Sequence, residues 1–329
     1  MQRRDFLLGS VLSASAAGYF WHHRHTETAP EAWTPAEGVR NRGGGLNYAV
    51  SDRKLMNYEI YDREGFWLRG PNPGPLERGG YIAFAGAAQT FGRFAPDPFP
   101  TIIGRTLDAK ILNLGMTGAG PANFSNSPDL LRWINASRFL VLQVMAGRSA
   151  GNSLMQHVSG RTVLYKGNKM PAEVAWEDAI RDPSVSARRL WDLVDETRAD
   201  WVSAYARLLE AIEVPVLLFF FSKSPPRDNK SPSEKPDTLG ALMGDHPQLV
   251  TRGMLAEISP RCASYVEAVT RKGSPQKLRI AVDMSGAGKR IAPPENFGRS
   301  NGYYPSPEMH AVAAEALLPA CRTLWGSAA

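Results

Sequence analysis

From residue 81 to the C-terminus, short apolar runs alternate with segments of helical period. Tyr81 to Ala85 is the first run, closed by Gly86; Ile111 to Leu114 is the second, closed by Gly115; Phe139 to Met145 is the third, bounded by Gly147. Pro215 to Phe221 is the most continuous, which suits a central strand buried on both faces. Leu278 to Val282 supplies a fifth. Between them the pattern predicts helices over Pro98 to Leu107, Ser127 to Ile134 with Pro128 in the first turn, Ser186 to Ile212 and roughly 250–271. A last amphipathic helix runs from Met309 to Trp325. The longest helix carries Leu190, Leu193, Val194, Trp201, Tyr205, Leu208, Leu209 and Ile212 at a spacing close to 3.6. Strands separated by helices predict an α/β fold, a doubly wound parallel sheet of about five strands with helices on both faces. Ligands of such sheets sit beyond the carboxyl ends of the strands, which selects the loops starting at Gly86, Gly115, Gly147, Ser222 and Asp283.

The region before residue 81 divides differently. Arg3-Arg4-Asp5-Phe6-Leu7 resembles a twin-arginine export motif, and a moderately apolar stretch follows to about Trp21. That stretch is short and rich in Ser, Ala and Gly for a membrane span, and Ala14-Ser15-Ala16 reads as a small-residue cleavage site. Residues 1–21 are therefore expected to be a signal segment read by the twin-arginine export machinery, which places the mature protein in the periplasm. The alternative is an uncleaved segment that anchors it to the membrane. Residues 22–55 are polar, contain Gly43-Gly44-Gly45 and lack a period; they are expected to be a flexible linker to a domain spanning 56–329. His22, His23 and His25 lie on that solvated flank.

Composition narrows the class. Of the 329 residues, 43% are apolar and 21% charged, so a core of ordinary size forms without a structural metal or disulfide. The net charge of +6 is spread along the chain with no basic stripe interleaved with aromatics, which argues against nucleic-acid binding. No Gly-x-Gly-x-x-Gly follows the first strand and no Gly-Lys-Ser/Thr occurs, so no nucleotide cofactor is expected. Cys262 and Cys321 cannot build a paired-cysteine zinc site, and no metal site is expected. Whether the two pair in an oxidising compartment stays open.

The chemistry-bearing residues lie in the loops after the strands. The first reads Gly86-Ala87-Ala88-Gln89-Thr90-Phe91-Gly92, and the second Asn113-Leu114-Gly115-Met116-Thr117-Gly118. The third is Gly147-Arg148-Ser149 with Asn152 beyond it, and Pro307-Glu308-Met309-His310 opens the last helix. In this order they resemble the four blocks of the SGNH (GDSL) hydrolase family, a flavodoxin-like three-layer fold. The segment from Tyr81 to Gly120 is also similar to uncharacterised proteobacterial proteins with a Gly-x-Thr-x-Thr-Tyr-Gly first block. The resemblance implies a serine nucleophile at position 88, where Ala88 has no lone pair to attack a carbonyl. It implies an oxyanion donor at Gly118, although a glycine turn for close strand–helix packing explains the same residues. The third block lacks its Asn, with Ser149 or Asn152 as substitutes. The last keeps the base at His310 but has Pro307 in place of the supporting Asp.

Two functions are therefore expected. The first is a degenerate, non-catalytic relative that binds a glycan, an acylated small molecule or an envelope partner. The second is a hydrolase or acyltransferase on acyl or carbohydrate esters. Its altered site would take His310 and Thr90 as catalytic groups, with Gly86, Gly118, Ser149 and Asn152 around the ligand. Three further groups have plain readings beside chemical ones. His157 reads as a loop residue, Asp245-His246-Pro247 as a helix entry, and Lys223 with Arg227 as part of a solvated loop.

Overall fold

Four of the five apolar runs form strands of one sheet, and the fifth does not. The computed structural model describes residues 45–52, 55–229, 234–279, 281–283, 290–291 and 297–326. In chain order the elements begin with α1 (Gly45–Ser51), β1 (Tyr61–Arg63), β2 (Phe66–Leu68), β3 (Tyr81–Gly86), α2 (Ala88–Phe91), α3 (Phe99–Leu107) and β4 (Lys110–Gly115). Next come α4 (Pro121–Ser125), α5 (Pro128–Asn135), β5 (Phe139–Gln143), β6 (Met155–Ser159), β7 (Thr162–Tyr165), β8 (Asn168–Pro171), α6 (Ala172–Arg181) and α7 (Ala187–Glu210). The chain continues through β9 (Val216–Ser222), α8 (Leu239–Met243), α9 (Arg252–Ile258), β10 (Ser264–Val269) and β11 (Gln276–Arg279). It ends with β12 (Ala281–Asp283), β13 (Arg290–Ile291), β14 (Phe297–Asn301) and α10 (Pro307–Gly326).

The main sheet has the order β10-β9-β5-β3-β4, and every pairing in it is parallel. Numbered by appearance, its strands lie 2-1-3-4-5, the flavodoxin-like order, with the switch point between β3 and β5. Alternate residues serve opposite faces. Ala83, Ala85, Leu112, Leu140 and Leu218 pack with Trp133 of α5, Trp201 and Tyr205 of α7 and Met254 of α9. Ile82, Phe84, Val141, Phe219 and Phe221 pack with Phe99 and Ile103 of α3 and Ala313 and Leu317 of α10. A strand buried on both faces has to be apolar throughout, which is why these runs are continuous.

The fifth strand is corrected. The apolar run places it at Leu278 to Val282, but Gln276–Arg279 pairs antiparallel with β14, and Ala281–Asp283 with β13, both outside the main sheet. The fifth strand is β10, within the span expected to be helical, and α9 stops at Ile258. Ser264–Val269 is an edge strand interrupted by Ser264 and Glu267, with Tyr265 and Glu267 bonded to each other, so it never presents a long apolar run.

Two additions fall outside the expected pattern. An antiparallel sheet, order β6-β7-β8, with α6 builds its own core from Val163, Tyr165 and Trp176 against Leu190, Leu193 and Val194 of α7. The first half of α7 thus serves this insertion and the second half the main sheet. At the other end, the linker expected over 22–55 gives way to helix α1, whose Tyr48 is buried against Tyr58, Ala88 and Phe91. Residues 1–21, expected to be a signal segment, and residues 22–44 lie outside the described residues. No helix among those described is long and apolar enough to cross a membrane. Cys262 and Cys321 are free thiols, raised by burial to about 11 and about 12.

Candidate functional site

The switch point is filled by the protein's own side chains. Gln143 ends β5, is fully buried, and its Oε1 accepts from the Ala87 amide (3.0 Å), the Thr90 amide (3.2 Å) and the Thr90 hydroxyl (2.6 Å). Asn113 of β4 donates from Nδ2 to the Thr90 carbonyl (3.0 Å), and its Oδ1 accepts from the Gly115 amide (2.9 Å). The glycines permit this closeness: a Cβ on Gly86 would stand 2.2 Å from Thr90 Oγ1, and one on Gly115 2.1 Å from the Phe91 nitrogen. The glycine-rich blocks therefore fold as a tight strand-to-helix turn clamped from two neighbouring strands. Thr90 is wholly buried with its hydroxyl proton committed to Gln143.

Ala88, at the position the resemblance gives to a nucleophile, lies in an aromatic cluster with Tyr48, Tyr58 and Phe91. This lid is pinned electrostatically. Arg93 donates to both carboxylate oxygens of Asp52 at 2.8 Å and to the Tyr304 hydroxyl at 2.9 Å. Its guanidinium lies 4.4–4.9 Å from the ring centres of Tyr48, Phe94 and Tyr304. Tyr58 donates to Asp52 from the other side (2.8 Å).

His310 starts within α10 and is fully buried. Its Nδ1 accepts from the Phe99 amide (3.3 Å), and its ring stacks on Phe99 and meets Phe221 edge-on. Burial first, and the nearby Arg69 charge second, push its pKa down to about 3, so the ring is neutral at pH 7. Nδ1 accepts, so Nε2 carries the proton, and Nε2 has no hydrogen-bond partner. His310 and the Gln143–Thr90 network lie against the same face of the sheet, but the hydrogen bonds of each lead elsewhere.

Gly118, Asn152 and Ser149 lie at the insertion, away from the Gln143–Thr90 network. Gly118 faces the β6–β7 turn, where a Cβ would stand 3.5 Å from Arg161. Asn152 accepts from the Leu154 and Met155 amides (both 2.8 Å) and donates to Thr197 of α7 (2.9 Å). Ser149 is buried, and its carbonyl bonds His157 Nδ1 (2.9 Å). Asp245 pairs with Arg271 at 2.6 Å, while its neighbour His246 is held down to about 3 by burial and then by the charges of Arg148 and Lys223. Lys223 bonds the carbonyls of Gly302 and Tyr303. No group of three His, Cys, Asp or Glu able to hold a metal occurs among the described residues.

Sequence reasoning missed a polar relay that reaches the surface. Arg148 donates to Glu173 (2.7 Å) and Gln248 (2.8 Å), and Gln248 donates to the hydroxyl of Tyr303 (3.1 Å), whose ring is exposed. Arg148 is the middle residue of the third block, the one signal that pointed there.

Comparison with known proteins places the chain in a family. Residues 47–159 and 183–325 match the family described as a domain of unknown function, DUF6473. The chain belongs to that family. The part of the DUF6473 protein between the two matched stretches holds β7, β8 and α6, the core of the insertion. No curated protein matches the sequence. Among solved structures it is similar to a carbohydrate acetylesterase family member from Sinorhizobium meliloti, at 13% identity and TM-score 0.33, over 75% of this chain and 99% of that one. It is also similar to an extracellular lipase from Streptomyces rimosus, at 10% identity and TM-score 0.36, over 74% and 98%.

Proposed function

We propose that this DUF6473 protein is an exported, non-hydrolytic binding protein that takes a glycan at the carboxyl edge of its sheet. One observation carries the reading: position 88 is an alanine packed under Tyr48, Tyr58 and Phe91, while the hydroxyl of Thr90, two residues on in the same turn, is committed to Gln143. A nucleophile needs a lone pair and a base within hydrogen-bond reach; Ala88 offers no lone pair, and the Thr90 hydroxyl meets an amide oxygen rather than a base. The glycan follows from the relay at the surface. Tyr303 offers an exposed ring for a sugar face, packed against Tyr304 at 87° and fixed through its hydroxyl by Gln248. Export rests on the Arg3-Arg4 motif; replacing both residues with Lys leaves precursor in the cytoplasm, and normal periplasmic accumulation of that variant sinks the localisation.

The test pairs calorimetry with turnover. Purified mature protein is titrated with envelope glycan fragments and incubated with p-nitrophenyl acetate and acetylated sugars. The expected result is saturable glycan binding, weakened about tenfold in Tyr303→Ala at unchanged melting temperature, and no turnover. A tenfold loss is 1.4 kcal/mol, the scale of one well-placed aromatic contact. Turnover that His310→Ala abolishes overturns the reading in favour of a hydrolase or acyltransferase. Absence of binding across the panel removes the glycan.

A further inference from the structure

Arg69 follows β2 and is 3% exposed. The guanidinium lies over the rings of Tyr58 (4.8 Å to the centre) and Phe91 (5.7 Å). Only Nη2 is used: it donates to the carbonyls of Ala95 (3.0 Å) and Pro96 (2.8 Å). Nε and Nη1 have no hydrogen-bond partner among the described residues. No ion pair joins Arg69 to a carboxylate among the described residues; Glu59 and Asp97 act on it only through their charge at longer range. A buried cation with two idle donors is a costly arrangement unless an acceptor satisfies it.

A third idle donor belongs to the same region. Arg69 clamps the chain at Ala95 and Pro96, and His310 accepts from the amide of Phe99, so the two side chains hold opposite ends of one short turn. His310 lies within reach of the Arg69 charge, and its protonated Nε2 is buried without a partner. All three unmet groups are donors: Nε–H and Nη1–H of Arg69 and Nε2–H of His310. Three donors beside a guanidinium that no ion pair balances among the described residues call for an acceptor that is itself negative. Water supplies acceptors but leaves the charge unbalanced, and the near-zero exposure of both side chains excludes a large ligand.

We infer that Arg69, with His310 beside it, forms an internal site for a small monovalent anion of halide size. The site is independent of the glycan reading: it is buried against Tyr58, Phe91 and the turn that joins α2 to α3, and its anion locks that turn. A halide bound to the folded state alone raises stability with its concentration.

Bromide tests this directly in the intact protein. Crystals soaked in sodium bromide are expected to show an anomalous peak within hydrogen-bond distance of Arg69 Nε or Nη1. In solution, thermal unfolding is followed as sodium bromide replaces sodium gluconate at constant ionic strength, gluconate being too large to enter. The wild-type melting temperature is expected to rise by about 3 °C at bromide tenfold above its dissociation constant. Arg69→Met, which keeps the stem against Tyr58 and Phe91 but removes the charge, is expected to show no rise. If that variant fails to fold, His310→Phe is measured instead and retains a weakened rise, because one donor of three is gone. Bromide only at surface sites, water at the Arg69 nitrogens, or an equal response in wild type and variant overturns the proposal.

Discussion

Replacing Gln143 with Leu separates a structural clamp from a dispensable polar residue. Leu keeps most of the side-chain volume and removes the acceptor that serves Ala87 N, Thr90 N and Thr90 Oγ1. Thr90 N retains a second acceptor, the Ala87 carbonyl at 3.1 Å, so the variant leaves two wholly buried donors unpaired. At about 2 kcal/mol for each orphaned donor, Gln143→Leu costs about 4 kcal/mol. Thr90→Val alone removes one donor while Oε1 keeps the other two, and costs about 1 kcal/mol. In the double variant only the Ala87 amide is orphaned, for a total of about 2 kcal/mol. Valine at position 90 is thus destabilising in the wild type and stabilising, by about 2 kcal/mol, once Gln143→Leu is in place. Urea unfolding read by tryptophan fluorescence and far-UV circular dichroism measures all four proteins, with coincident transitions as the check on two-state behaviour. A second substitution that adds to the first, or a Gln143→Leu cost below about 1 kcal/mol, refutes the clamp.

Two further outcomes are expected. Asp52→Ala removes the partner of Arg93 and the acceptor of Tyr58. Arg93 is only 20% exposed, so the loss is about 3 kcal/mol, and amide hydrogen exchange over Gly45–Ser51 accelerates before that of the sheet. The pH dependence has a definite sign. His246 and His310 fall from the ordinary 6.5 to about 3 in the folded protein, so the unfolded chain takes up protons first as pH drops. Their contribution is complete above pH 6.5 and is lost as pH falls from there toward 3, at up to ~1.4 kcal/mol per pH unit for each ring. In halide-free buffer, His310→Phe lowers the slope of unfolding free energy against pH by about one proton; an unchanged slope refutes a neutral buried ring.

The parts of this protein that were legible in its sequence are those whose environment is the same on both sides. Ile82, Phe84, Leu217 and Phe219 face one helical layer while Ala83, Leu112, Leu140 and Leu218 face the other, so every position is apolar and the run declares itself. Ser264–Val269 has one open edge and a half-exposed face, and its polar residues hid it inside a span that read as helix. The insertion was hidden differently. Its strands are four or five residues of mixed character, and their apolar partners lie on α7, where Leu190, Leu193 and Val194 were already explained by helical period alone. Among the site residues, glycines were the readable ones. Gly115 is required by backbone contacts that any close strand-to-helix turn makes, whatever the turn is for, and Gly86 by the Thr90 and Gln143 side chains that pack against it. What the turn holds depends on a side chain 53 residues further on: Gln143 ends an apolar run and becomes meaningful only once β5 lies beside β3. His310 follows the same logic in reverse. Its place at the start of the last helix was visible, but Phe99 and Phe221, which determine whether an imidazole there meets solvent or core, arrive from α3 and β9. A histidine's position in the chain locates it; its chemistry is set by the rings that close around it, and here those rings leave it neutral, with its Nε2 proton buried and without a hydrogen-bond partner among the described residues.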